Sequence, residues 1–373
     1  MAGIYIHIPF CRQACNYCDF HFSTVLNNKA EVIEAICKEV HLRKDYLEDK
    51  TLNSIYFGGG TPSLLSAQEL ENMMNALKKE FAFSDTIEIT LEANPDDINA
   101  QKLKEWQQQG INRLSIGLQS FNDEELKWMN RTHTAAESLF SVKLAQDKGF
   151  SSITIDLIYG SKFQTLSSWE DTLQQAVDLK TKHISSYNLT IENKTLLGTR
   201  HLKGSEPPVN DELSSKQFLL MIDLLENTGY TQYEISNFGL PGYYAVHNSN
   251  YWLGHHYLGL GPSAHSFNGI SRQWNVKNNN VYTAKLLSGK PFFELENLSV
   301  NDRYNEYILT GLRTIWGCNI SEIERLFGSQ ITAHFRKIVH LKKDMITEKN
   351  GVYTLSKAGK LLADGLAADL FIR

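Results

Sequence analysis

Long apolar runs are missing from this 373-residue chain: none approaches the roughly 18 residues that a membrane-spanning helix needs. The first apolar stretch is broken at once by His7, Pro9 and Cys11, so it does not read as a secretory leader. A charge excess of one sign is missing as well. A net charge of -5 gives no overall field to draw nucleic acid or anionic lipid, so no nucleic-acid partner is expected and recognition has to be local. Cysteine is scarce. There are five, an odd number, and three of them crowd positions 11 to 18, which argues against a disulfide framework and for a reducing compartment. These absences point to a cytoplasmic protein that reaches a membrane, if at all, through a partner.

What is present is enough apolar material, 42% of the residues, for a large core. From residue 3 to about 190, short β-branched or aromatic runs alternate with amphipathic stretches, the pattern of βα units around a parallel sheet. Six strands are predicted, at 3–8, 53–57, 86–91, 113–118, 153–158 and 183–189, with Gly110 and Gly149 where helices should end. Six units fall short of a closed eightfold barrel. The expected fold is therefore α/β: an incomplete parallel (β/α)6 barrel over 1–200, an aromatic and histidine-rich segment closing it over 201–298, and a mostly helical, winged-helix-like domain over 299–373 with a hairpin at Asn350-Gly351. In that last domain eleven Lys or Arg face eight Asp or Glu, mild for a DNA binder, so it reads as a packing domain.

Each predicted strand is followed at once by polar or glycine-rich material, and in parallel barrels and open α/β sheets those strand ends share one mouth. After the first come Cys11, Cys15 and Cys18, spaced C-x3-C-x2-C. Three thiolates in so short a loop suit three corners of an iron-sulfur cubane and leave a fourth iron open. Structural zinc would ask for a fourth protein ligand in paired spacing, and no second pair is present.

This triplet, with Tyr17 just before its last cysteine and Gly58-Gly59-Gly60-Thr61-Pro62 behind the second strand, resembles the radical S-adenosylmethionine superfamily. The resemblance implies a [4Fe-4S] cluster on Cys11, Cys15 and Cys18, with S-adenosyl-L-methionine chelating the open iron and cleaved by one electron to a 5′-deoxyadenosyl radical. YIHIPFC, FGGGTP, LEANP, GLQSF, IDLIYG and GLGPSAHSF follow in order along the chain, which is similar throughout to the coproporphyrinogen dehydrogenase-like group. That similarity implies Tyr5, Gly59, Gly60, Thr61, Glu92, Gln119, Arg131 and Asp156 as S-adenosylmethionine contacts. Taken singly, Glu92 and Asp156 also read as loop carboxylates, Arg131 as a surface ion pair and Tyr5 as strand packing.

Two features place the chain within that group. The decarboxylases that oxidise coproporphyrinogen III resemble C-x3-C-x2-C-x-C, and Phe20 stands where their fourth cysteine falls. His247-Asn248-Ser249-Asn250-Tyr251-Trp252, an H-N-x-x-Y-W sequence, resembles the heme chaperone branch. The implied function is heme binding and transfer to apo-haemoproteins such as respiratory cytochromes, with heme as cargo. The alternative is an oxygen-independent coproporphyrinogen III dehydrogenase. Whether radical chemistry accompanies transfer, and so whether the protein is an enzyme, stays open. Two readings of the motif stand: His247 ligates heme iron beside Asn248 and the flat faces of Tyr251 and Trp252, or the segment closes the barrel with His247 hydrogen-bonded in a core. His255, His256 and His265 are further candidates that spacing does not rank. Cys37 and Cys318 fall on helical patterns and read as core.

Overall fold

The computed structural model describes residues 2–372. Six parallel strands lie side by side in chain order: β1 (Ala2–Ile8), β2 (Thr51–Gly59), β3 (Ala82–Ala93), β4 (Arg113–Gln119), β5 (Ser152–Tyr159) and β6 (His183–Asn188). All six predicted strands are present. The third starts at Ala82 instead of 86, because Ala82 and Phe83 already pair with Thr51 and Leu52 before an irregularity carries the register on to Glu88 and leaves Ser84-Asp85 out of the ladder with β2. Helices such as Ala67–Glu80 and Ala135–Asp147 return the chain between strands, each opened by a reciprocal cap, Ser66 with Glu69 and Thr134 with Glu137. Gly110 and Gly149, both at φ +91°, take the left-handed turn just beyond two helix ends.

Strand alternation decides what the barrel contains. Ile4, Ile6, Ile55, Phe57, Leu91, Leu114, Ile116, Ile155, Leu157 and Ile184 are fully buried in the main core, each contributing roughly 1.5–3 kcal/mol by leaving water. The opposite parity carries Tyr5, Tyr56, Glu88, Glu92, Arg113, Ser115, Asp156 and Ser185. A closed eightfold barrel fills its interior with branched apolar side chains. Here the lumen is polar, and it can hold a polar ligand.

Residues 231–297 extend both edges of the same sheet. The hairpin β7 (Thr231–Glu234) and β8 (Asn237–Gly239) adds to β6, and β9 (His256–Leu260) adds parallel to β1, followed by antiparallel β10 (His265–Phe267), β11 (Ser271–Asn275) and β12 (Phe293–Asn297). The sheet is open, in the order β12-β11-β10-β9-β1-β2-β3-β4-β5-β6-β8-β7. Because β8 sits on one side of the barrel and His256 pairs with Ala2 on the other, residues 240–255 cross beneath the amino ends of the strands. That crossing contains the helix Val246–Trp252.

The C-terminal region has its own core around Tyr304, Ile308, Ile323, Phe335 and Leu366, with Cys318 fully buried in it. Three helices, Val300–Leu312, Ile320–Phe327 and Ser329–His340, precede β14 (Ile346–Lys349) and β15 (Val352–Leu355), and the short β13 (Cys318–Asn319) pairs with β15. The hairpin turns at Asn350 and Gly351, φ +54° and +77°. That arrangement is winged-helix-like. Cys37 is half-buried against the main core. Among the described residues no helix is long and apolar enough to cross a membrane.

Candidate cluster and cofactor site

The cysteine loop leaves β1 and closes on itself, with Cys11 N–H donating to Ser23 O (3.0 Å) and Ser23 N–H to Pro9 O (2.9 Å). Having no regular structure, it is fastened from outside by the turn that follows the helix Asp123–Trp128. Asn16 N–H donates to Met129 O (3.0 Å), Gln13 Nε2 to Asn130 Oδ1 (2.7 Å), Asn130 Nδ2 to Ala14 O (2.7 Å), and an Arg131 guanidinium nitrogen lies 3.4 Å from Cys15 Sγ. All three cysteines stay partly exposed. Burial pushes the Cys11 thiol up to about 11 and the Cys18 thiol up to about 12, so each holds its proton at neutral pH until a metal displaces it. Among the described residues no three His, Cys, Asp or Glu side chains converge on a single ion position.

The glycine loop is stitched to the same place. Gly60 N–H donates to Ile8 O (2.9 Å) and Thr61 N–H to Phe10 O (2.7 Å), at the point where β1 becomes the cysteine loop. A Cβ on Gly60 would stand 2.6 Å from Phe10 O and 2.8 Å from Ile8 O, so only glycine permits this approach.

A cavity of about 460 Å³ runs from the cysteine loop into the lumen, within the roughly 300–1,000 Å³ of single-ligand sites. Cys11, Cys15, Cys18, Gly59, Gly60, Thr61, Glu92, Gln119, Arg131 and Asp156 all line it. Phe20 stands on its lip, 68% exposed. Tyr5 is not on the wall; its ring lies close behind Gly58, 6.1 Å from the Tyr56 ring, with its hydroxyl 3.1 Å from His7 Nδ1.

The two carboxylates are held away from their ordinary ionisation. Burial, aided by the charge on Asp156, raises Glu92 to about 7, although Tyr56 Oη (2.8 Å) and Gly59 N–H (3.2 Å) donate to it. Burial raises Asp156 to about 6 against donation from Ser115 Oγ (3.2 Å). Arg131 directs one nitrogen at Asn94 Oδ1 (2.7 Å) and Gly117 O (2.8 Å), while its Nε is buried without a hydrogen-bond partner. Gln119 adopts φ +68° at the point where β4 slips register against β5, a conformation costing on the order of 1–3 kcal/mol for a side-chain-bearing residue. Three thiols, an unpaired guanidinium donor and two acids half-relieved of charge form a donor set that fits a cubane with an amino-acid-bearing cofactor beside it.

The H-N-x-x-Y-W segment lies at the other end of this cavity. Glu88 caps its helix, accepting from Val246 N–H (3.0 Å) and His247 N–H (2.9 Å). Asn248 alone of the four motif candidates reaches the cavity wall. His247 is 2% exposed; its Nδ1 lies 2.9 Å from Ser54 Oγ and its Nε2 3.0 Å from Tyr251 Oη. Burial lowers its basicity to about 3, and both ring nitrogens are occupied, so it offers iron no free lone pair in this arrangement. Tyr251 packs edge-on against Tyr257 (4.4 Å), and Trp252 lies under the guanidinium of Arg313 from the C-terminal region (5.3 Å). The floor continues as a polar chain: Arg113 lies 3.5 Å from Glu88 and donates to Thr154 Oγ1, Thr154 Oγ1 lies 3.1 Å from His183 Nδ1, and His183 Nε2 lies 2.8 Å from Tyr233 Oη.

Residues 5–176, from β1 through the helix Leu166–Asp178, match the family model of the radical SAM superfamily. The solved coproporphyrinogen III oxidase HemN of Escherichia coli superposes with a TM-score of 0.86 over 99% of this chain and 90% of that one, at 23% identity, a likeness of fold. The heme chaperone HemW of Haemophilus influenzae is 34% identical over 99% of this chain and 97% of its own length. This chain belongs to the HemW family. The HemW of Bacillus subtilis is 31% identical over 98% of this chain and 97% of its own, and that of Escherichia coli 38% over 70% and 69%.

Sequence reasoning missed part of the wall of this HemW-family cavity, including Tyr56, Ser115 and Tyr187. Their signal was parity. Around Ile55, Leu91, Leu114, Ile155 and Ile184 the flanking positions on the opposite parity, Tyr56, Glu92, Ser115, Asp156 and Ser185, are polar, which marks a ligand-bearing lumen before any motif is known.

Proposed function

We propose that this chain is a cytoplasmic heme chaperone that binds heme and hands it to apo-haemoproteins such as respiratory cytochromes. It holds a [4Fe-4S] cluster on Cys11, Cys15 and Cys18 and S-adenosyl-L-methionine in the lumen cavity. What carries the reading is similarity of 34% along nearly the full length of a protein named as a heme chaperone. Phe20, standing where coproporphyrinogen-oxidising relatives are expected to have a fourth cysteine, supports the chaperone over the dehydrogenase.

Within this proposal Gly59, Gly60 and Thr61 bring backbone close to the cofactor's amino-acid part, Arg131 pairs with its carboxylate, and Glu92, Gln119 and Asp156 hold its amino and hydroxyl groups. An ammonium beside Glu92 restores the charge that burial suppresses there. Bound together, cluster and cofactor supply one-electron chemistry.

Cluster-reconstituted protein is expected to take up heme with a Soret band and pass it to an added apo-haemoprotein. Anaerobic incubation with coproporphyrinogen III, S-adenosylmethionine and a reductant should give no protoporphyrinogen. Failure to take up heme with the cluster intact refutes the chaperone reading, and formation of protoporphyrinogen replaces it with the dehydrogenase.

A further inference from the structure

We propose that heme docks on the rim of the sheet beside the cysteine loop, with His265 as its axial ligand and Lys277 facing a propionate. The proposal rests on the heme-chaperone reading and says where on this chain the cargo sits.

Position ranks the histidines that spacing does not. His247 is sealed in the barrel floor with both nitrogens engaged. His255 and His256 lie at the amino end of β9, where His256 pairs with Ala2, far along the strands from the cysteines. His255 Nδ1 is also buried. Since β9 runs parallel to β1, the chain after Leu260 emerges at the same end as Cys11; a Cβ on Gly261 would stand 2.5 Å from His7 O. His265 follows directly. It is exposed, no hydrogen bond to either of its ring nitrogens is found among the described residues, and its ring stacks on Trp274 (6.3 Å, 29°). Trp274 is itself held, its Nε1 donating to Glu294 Oε2 at 3.1 Å.

The surroundings match a porphyrin with two carboxylates. Lys277 is exposed, has no ion-pair partner among the described residues, and lies near enough to His7, His21 and His265 that its charge adds, behind burial, to disfavouring their protonation. His21 Nε2 lies 2.8 Å from Asn279 Oδ1, and Asn28 Nδ2 donates to Asn280 Oδ1 (2.6 Å). These bonds join the tail of the cysteine loop to the helix Asn279–Leu287 and make one surface of the two. The loop brings Phe20, Val25 and Leu26, exposed by 68, 59 and 42%, and the helix brings Val281 at 41%. Exposed apolar side chains gathered at one edge are the signature of a binding face. A free imidazole, an indole, these apolar groups and one unpaired ammonium supply what an iron porphyrin needs: an iron ligand, flat apolar contact and a cation for its acid. An open rim with a single axial ligand also leaves the second face of the iron to an acceptor's own ligand, as handing over the cargo requires.

The test is heme titration of cluster-reconstituted protein, followed by Soret absorbance and by resonance Raman or electron paramagnetic resonance for imidazole ligation. His265→Ala is expected to weaken uptake at least about tenfold, as loss of even an outer partner of a metal ligand does, and to remove the imidazole signature. Lys277→Ala should weaken heme binding about two- to fivefold, the worth of an exposed ion pair, and leave uptake of heme dimethyl ester unchanged. His256→Ala, at the opposite end, should match wild type. Unchanged ligation in His265→Ala overturns the rim site. So does loss of the imidazole signature in His247→Gln, with native circular dichroism, while His265→Ala retains it. A wild-type protein that takes up no heme overturns the chaperone reading itself, and the rim with it.

Discussion

Glu92 sits in the lumen as an acid that the fold prefers uncharged, and replacing it with glutamine should expose that preference as a pH-dependent gain in stability. In the folded protein its carboxyl is raised from 4.5 to about 7, mainly by burial. Below the unfolded value the acid is protonated in both states and nothing is lost. As pH rises toward 7 the unfolded chain ionises freely while the folded one resists, so wild-type stability falls across that window and levels off above it. At about 1.4 kcal/mol per tenfold, the ceiling is ~3 kcal/mol. The carboxylate faces a cavity open to solvent, and screening there reduces the expected effect to about 1–2 kcal/mol. A glutamine side chain at this position would keep the shape and one acceptor for Tyr56 Oη or Gly59 N–H; losing the second acceptor costs on the order of 1 kcal/mol at every pH. The quantity to measure is therefore the difference between Glu92→Gln and wild type in urea at pH 5 and again at pH 8, with the cluster assembled and no S-adenosylmethionine added. The variant should gain about 1–2 kcal/mol on wild type between the two. Because the Asp156 charge contributes to the shift, the gain should shrink in an Asp156→Asn background. A difference that is flat with pH, or one in which wild type gains on the variant as pH rises, refutes the assignment of Glu92 as a charge held at a cost for a ligand.

Gly60→Ala would drive a methyl group into the backbone of Ile8 and Phe10. Overpacking of that kind costs about 1–3 kcal/mol, and since the obstacle is the root of the cysteine loop, iron content and cluster absorbance after reconstitution should fall; full cluster occupancy with unchanged thermal stability would contradict the close approach. Tyr233→Phe strips His183 Nε2 of its partner in the barrel floor, which should lower the denaturation midpoint by the equivalent of about 1–3 kcal/mol. A midpoint equal to wild type would mean that the polar chain from Glu88 to Tyr233 is not what holds the floor together.

The catalogue of strands and the cysteine loop were legible because both depend on short-range pattern. Alternation over short runs marks β1 through β6, and three cysteines in a loop after a strand have few other uses. The site residues carried over by resemblance meet in one cavity because most sit where strands end or just beyond: Gly59, Glu92, Gln119 and Asp156 in the carboxyl halves of their strands, Gly60 and Thr61 just after β2, and Arg131 in the turn after the helix Asp123–Trp128. Tyr5 is the exception, one layer further into the barrel behind Gly58. What short-range pattern does not contain is the destination of a segment that leaves the barrel. Residues 237–239 pair with β6, residues 231–234 pair in turn with them, and residues 256–260 pair with β1, and this split across two edges follows from tertiary competition for sheet edges, not from periodicity. The placement of His247 was hidden with it. As sequence, an H-N-x-x-Y-W turn offers a ligand; as structure, Ser54 and Tyr251 take both nitrogens.

That occupation gives the motif a structural task in the barrel floor. A barrel with a polar lumen has a problem at its amino end, where buried Arg113, Glu88, Thr154 and His183 need partners and an opening would flood the lumen cavity. The helix Val246–Trp252 answers both needs. Its first amide groups satisfy Glu88, which steadies Arg113, its imidazole closes the gap between Ser54 and the Tyr5–Tyr56 pair, and Asn248 supplies the polar cap of the cavity. Trp252 then meets Arg313, so the same short helix also seats the C-terminal region. A substitution at His247 would disturb the lumen cavity, the floor network and the seat of the C-terminal region together. Loss of heme uptake in such a variant would therefore locate the floor, not the cargo, unless the cavity and the fold were shown to survive it.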